Sequence, residues 1–159
     1  MISEYHAAVI WERAGQDFLA QSYSRRHRVR FDGGAEWLGS SSPLSVPVPM
    51  SDASAVDPEE MLVAAVASCH MLWFLALAAK RKHVVEGYAD DAVGQMEKDA
   101  DGKFWIARVL LRPRVMFAAD STPTQSQHSE LHARAHEQCF IAHSIKGEVL
   151  CEPVFDPLS

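Results

Sequence analysis

The chain has 159 residues, with 21 acidic and 15 basic side chains, a formal net charge of -6 and 48% hydrophobic content. That length suits one domain, residues 1–159, with enough apolar side chains to bury a core. The acidic balance excludes general nucleic-acid binding, because neutralising phosphates needs an excess of lysine and arginine. The local run Arg25, Arg26, His27, Arg28 and Arg30 stands apart from that balance.

Residues 1–12 carry acidic side chains and a histidine where an export signal would carry a basic start and an apolar block. A cytoplasmic location is therefore expected. In a reducing compartment three cysteines serve better as catalytic or metal-binding groups than as a disulfide framework.

In chain order, Tyr5 to Trp11 alternates as a strand, and Phe18 to Phe31 predicts one or two more before the Asp32-Gly33-Gly34 turn. Gly39 to Asp57 is dense in serine and proline, including Pro43, Pro47 and Pro49, and predicts an extended loop. A long apolar helix is expected over Asp57 to Lys82, with Asp57 as N-cap, Pro58 at the first position and Glu60 closing a capping box. Lys80, Arg81 and Lys82 complement the carboxyl end of its dipole.

Val84 to Lys98 and Lys103 to Phe117, joined by the turn residues Asp99 to Gly102, predict a long hairpin. Ser129 to His143 predicts a second helix, and Glu148 to Phe155 a last strand. Met61 to Ala79 is apolar and nearly long enough to span a bilayer. Its alanine-rich composition and the central Ser68, Cys69 and His70 favour a core helix over a membrane span.

Cys69 lies near the middle of that helix, where the favourable dipole of the amino end has decayed. Attack on an oxidant requires a thiolate, so another group must stabilise one here. An arginine can do so, since its guanidinium keeps its charge and presents several donors in a fixed fork. Arg25, Arg26, Arg28 and Arg30 are the candidates, with Arg25 preferred, and Glu59 could hold the chosen arginine by a bidentate contact.

An acid after proline (Pro58, Glu59), ten residues before a cysteine in an alanine-rich helix (Ala64 to His70), then a second helical cysteine at Cys139, resembles the OsmC/Ohr family of thiol peroxidases. The resemblance spans most of the chain. It implies an α+β, OsmC-like fold in which antiparallel sheets wrap two central helices in an intertwined homodimer, with active sites at the subunit interface. It also implies reduction of organic hydroperoxides with no cofactor beyond the protein's own thiols. Carried over by position, Cys69 is the peroxidatic thiol, Cys139 the resolving thiol and Glu59 the acid, and a dithiol such as a lipoylated protein is the reductant. The chain departs from the family where Phe140, in place of a frequent proline, follows Cys139, and where His70 follows Cys69.

Two other readings use the same residues. His136, Cys139 and His143 are spaced three and four apart, so one helix face could present them to zinc, with Cys69 or His70 completing the set. Alternatively Met71, Leu72, Trp73 and Phe74 could line an apolar ligand pocket in a non-catalytic dimer. Cys151 sits in an expected strand with no partner motif and reads as a small buried hydrophobe.

Overall fold

Short β-branched stretches punctuated by turns fill the first third of the chain. In the computed structural model, which describes residues 2–156, β1 (Ala7–Ile10), β2 (His27–Phe31) and β3 (Glu36–Gly39) form an antiparallel sheet in the order β1-β2-β3. Ala7 faces Phe31, and His27 faces Gly39. The β2–β3 hairpin turns where Gly34 adopts φ 87°, a conformation open to a residue without Cβ.

Phe18 to Arg26, expected to contribute a strand, is irregular. Its aromatic residues pack on one another instead of joining a ladder: Phe18 stacks on Tyr23 at 4.7 Å, and Trp11 meets the Tyr23 edge at 5.4 Å. From Ser40 to Asp57 the chain contains turns and bends but no named element, as the prolines dictate. It is held by side chain to backbone bonds such as Asp52 N–H to Ser40 Oγ at 3.0 Å.

Helix α1 (Pro58–Lys80) starts as its sequence predicts. Glu60 N–H donates to Asp57 Oδ1 at 2.8 Å, and Asp57 N–H donates to Glu60 Oε2 at 3.0 Å, a complete capping box. It ends two residues earlier than expected because Lys82 turns into the left-handed region at φ 63°, where His83 N–H closes onto Ala78 O at 3.0 Å.

The chain gathers into two compact units that divide between Met61 and Leu62, inside α1. In the second unit the expected long hairpin is present but broken in both arms. β5 (Val93–Lys98) pairs with β6 (Phe104–Leu111), and β4 (Val85–Asp90) pairs with β7 (Pro113–Phe117). At the break, Arg112 N–H donates to Asp90 Oδ1 at 2.7 Å, and Pro113 has no N–H to offer the ladder.

β8 (Glu148–Cys151) joins β6 in parallel, giving the order β5-β6-β8. Antiparallel pairing thus holds for the other strand pairs, and the parallel pair follows from the long helical crossover that precedes β8. A Cβ on Gly147 would collide with the carbonyl oxygen of Ile106, so the entry to β8 requires glycine.

The second predicted helix is two. α2 (Gln125–Gln138) begins at a Thr124–Gln127 capping box, four residues before the expected start, and α3 (Phe140–Ser144) follows after a break. The break falls on Cys139, whose backbone is extended at φ -70°, ψ 105°.

Two apolar clusters support the second unit. Phe74 and Ala78 of α1 pack with Val115, Phe117, Leu131 and Ala135, and Val66 packs with Val109 and Leu111, flanked by Ile141 and Ile145. α1 is long and apolar enough by length and composition to cross a membrane, yet its Val66, His70, Phe74 and Ala78 stripe is buried in this core. Because Asp57 satisfies a helix-start donor and is itself buried, Asp57→Ala should cost about 1 kcal/mol, read as a lower urea midpoint at unchanged slope.

Candidate active site

Helical periodicity decides what α1 offers. Residues spaced by four, Val66, His70, Phe74 and Ala78, point into the core, which leaves Cys69 on the shoulder of that stripe, half-buried. Cys139 reaches it from the α2–α3 break. Its extended backbone makes it the N-cap of α3, with Ala142 N–H donating to Cys139 Sγ at 3.4 Å, and it is only 1% exposed.

Burial pushes the Cys139 thiol up to about 11, opposed in part by the Ala142 N–H, and its side-chain contact with Cys69 raises it further. The two thiols that the sequence pairs are therefore brought together, one accessible and one held protonated out of solvent. Phe140, the residue that departs from the family pattern, packs edge-on against Trp73 at 5.4 Å and remains 65% exposed. It supplies an apolar wall beside the pair.

Arg25 and Glu59 belong to the first unit. Arg25 donates through Nη1 to the carbonyls of Gln21, at 2.8 Å, and Tyr23, and its guanidinium lies 3.8 Å from the Tyr23 ring centre. Arg26 pairs with Asp52 at 3.5 Å. Glu59 Oε2 is buried with no hydrogen-bond partner, and among the described residues no Arg25–Glu59 ion pair forms. The bidentate contact expected from sequence is thus not made within one chain, because Arg25 is tied to its own turn.

The histidines are arranged otherwise than their spacing suggested. His136, Cys139 and His143 do not share a helix face, because α2 ends before Cys139 and that thiol turns to Cys69. Instead His70 Nε2 lies 3.0 Å from His132 Nδ1, and His132 Nε2 lies 3.3 Å from His128 Nε2. Cys151 Sγ completes the group, 3.6 Å from His70 Nε2 and 3.9 Å from His132 Nδ1. Cys151 is therefore a member of a polar cluster, which corrects its reading as an isolated hydrophobe.

Burial lowers His70 to about 4, helped by the charge of His136, and lowers His132 to about 2, helped by His128 and His70. Both rings are neutral at physiological pH. Burial also pushes the Cys151 thiol up to about 12, reinforced by the negative charges of Asp90 and Glu152. No spacing signal joined these residues in sequence. The three histidines of α2 at intervals of four were the visible half, and His70 and Cys151 come from remote elements.

Nor do Met71, Leu72, Trp73 and Phe74 line one pocket. Successive residues of a helix point about 100° apart, so Phe74 is buried in the core, Trp73 meets Phe140, and Leu72 is 59% exposed.

The profile of the OsmC-like protein family matches residues 51–153. The chain is similar to an OsmC-like protein of unknown function from Vibrio cholerae, at 48% identity over 96% of this chain and 100% of that one, with a TM-score of 0.93. It shares its fold with the organic hydroperoxide resistance protein OsmC of Legionella pneumophila (18% identity, 96% of each chain, TM-score 0.67). The same holds for the organic hydroperoxide resistance protein OhrB of Bacillus subtilis (18% identity, 96% of this chain and 98% of that one, TM-score 0.63). No curated protein matches. With an α+β fold of mainly antiparallel sheets and a family profile covering all three cysteines, this chain belongs to the OsmC-like protein family.

Proposed function

We propose that this protein is a cytosolic, cysteine-based peroxidase that reduces organic hydroperoxides with its own thiols. The observation that carries the reading is a half-buried Cys69 neighbouring a buried Cys139 whose thiol burial and Cys69 together keep protonated. Family membership and the hydroperoxide resistance proteins that share the fold support the same chemistry.

The Cys69 thiolate attacks the terminal oxygen of the hydroperoxide. The O–O bond breaks, the alkoxide takes a proton and leaves as an alcohol, and Cys69 becomes a sulfenic acid. Cys139 then loses its proton and attacks the Cys69 sulfur, a disulfide forms, and water leaves. Two electrons and two protons from an external dithiol, such as a lipoylated protein, restore both thiols by exchange. The asymmetry of the pair suits this order: the accessible thiol meets the oxidant and the shielded one waits for the sulfenate.

Arg25 is the proposed stabiliser of the thiolate and of the developing oxyanion. Its bonds to the Gln21 and Tyr23 carbonyls and its stacking on Tyr23 orient the guanidinium while using a single nitrogen among the described contacts. Glu59 is the proposed holder of a guanidinium. A buried carboxyl oxygen without a donor is costly, and Glu59 Oε2 is such an acceptor. The exposed Phe140 and the neighbouring Trp73 would receive the organic part of the substrate.

The other face of α1 supports a homodimer. Ala64, Ala65, Ser68, Leu72 and Ala76 form an exposed stripe of small and apolar residues opposite the buried one, and burying such a face requires a partner.

Three measurements bear on this reading. Turnover of an alkyl hydroperoxide with dihydrolipoamide should fall to background in Cys69→Ser. Cys139→Ser should instead consume one equivalent per chain and then accumulate sulfinate, visible by intact mass. Equal, full activity in both variants would refute the assignment. Alkylation of the native protein at pH 7 should label Cys69 first. Cys139 should react on the order of a hundredfold, and Cys151 on the order of a thousandfold, more slowly than an ordinary thiol, because thiolate fraction falls tenfold per unit of pKa. Leu72→Asp should shift the species seen by sedimentation equilibrium from dimer to monomer.

A further inference from the structure

The peroxide chemistry leaves unused a group of metal-ligating side chains in the second unit. We propose that His70, His132 and Cys151 form a binding site for a divalent cation of the zinc class, separate from the Cys69–Cys139 pair, with its fourth position open to an adjoining cleft. A tetrahedral zinc ion bound at about 2.0–2.1 Å to nitrogen and about 2.3 Å to sulfur sets its ligands roughly 3.3 Å apart for two nitrogens and roughly 3.6 Å for nitrogen and sulfur. The observed separations are 3.0 Å between the histidine nitrogens, and 3.6 and 3.9 Å from each to the sulfur. The three donor atoms thus already stand at the edges of a tetrahedral face, contributed by α1, α2 and β8.

The chemistry of the donors points the same way. Two neutral imidazoles and a thiol are the ligand types that a borderline-soft ion selects over magnesium or calcium. His70 and His132 are 0% and 2% exposed, so their lone pairs are shielded from water. Asp90 and Glu152 place negative charge around Cys151, which burdens a bare thiolate and which a dication would relieve.

The surroundings supply an outer-shell partner for His132, while His70 Nδ1 is buried without one. A histidine that ligates through Nδ1 should donate its Nε2–H to an acceptor, and His132 Nε2 meets His128 Nε2 at 3.3 Å. His132 can therefore ligate without changing the hydrogen bond that orients it. Phe74 stacks on the His132 ring at 4.2 Å and fixes its plane. An entry path is present: a cleft of about 410 Å³ is lined by Ser129, His132, His136, Leu150, Cys151 and Pro153, among others. His136, whose Nδ1 is buried without a hydrogen-bond partner, lines the same cleft.

The peroxidatic pair lies outside the group. Cys69 precedes His70 but points about 100° away around α1, and Cys139 is engaged with Cys69. Metal binding and peroxide reduction can therefore fail independently.

The test is a titration of the reduced, chelator-treated full-length protein with Co²⁺, followed by competition with Zn²⁺. One Co²⁺ per chain should bind with a sulfur-to-cobalt charge-transfer band and visible bands of four-coordinate intensity, and Zn²⁺ should bleach both. The charge-transfer band should vanish in Cys151→Ser and persist in the Cys69→Ser, Cys139→Ser double variant. His128→Leu, which removes the outer-shell acceptor while keeping an apolar side chain among Phe74, Phe117 and Phe155, should weaken affinity by about 10- to 100-fold. Absence of the band in the unsubstituted protein, or its survival in Cys151→Ser, would overturn the site. The first of these outcomes does not depend on how any variant folds.

Discussion

The packing of the α1 stripe against α2 is the constraint on which the second unit depends. Phe74 lies at the centre: buried completely, it joins Leu131 and Ala135 of α2 and Val115 and Phe117 of β7, and its ring stacks on His132. Because residues along α1 are locked in angle and rise, seating Phe74 also seats His70 one turn earlier, and it leaves Cys69 on the shoulder. A rotation of α1 by one residue would bury Cys69 among apolar side chains and expose His70. A half-buried thiol and a core imidazole are thus separated by the pitch of a single helix.

Three cysteines illustrate how environment, not residue type, assigns a role. Cys69 is half-buried on a helix shoulder, Cys139 is sealed in a break between two short helices, and Cys151 ends a strand beside two histidines. Burial raises the proton affinity of the latter two. The break at Cys139 is what makes the first pairing possible. A continuous helix would carry that thiol around the axis with its neighbours, whereas an extended residue turns it back toward α1.

The positions at which this chain departs from the hydroperoxide-reducing pattern are structurally informative. Phe140 takes the place of a proline and closes on Trp73, so the residue that follows the second thiol becomes part of its apolar surroundings. His70 follows the first thiol and looks into the core, where it joins His132. Neither change disturbs the Cys69–Cys139 contact, because each side chain leaves the backbone in a different direction from the adjacent sulfur.

Much of the fold was legible in the amino-acid order alone, wherever local chemistry decides. The start of α1 follows from Asp57, Pro58 and Glu60. The irregular stretch before it follows from its prolines, and the β5–β6 turn from Asp99 to Gly102. What only the tertiary structure decided is longer in range: the break of the second helix at Cys139, the parallel docking of β8 on β6, the diversion of Phe18 and Tyr23 into an aromatic stack, and the meeting of His70, His132 and Cys151. These depend on packing between segments remote in the chain, where burial outweighs local propensity and spacing along the sequence carries no record of the distance across the fold.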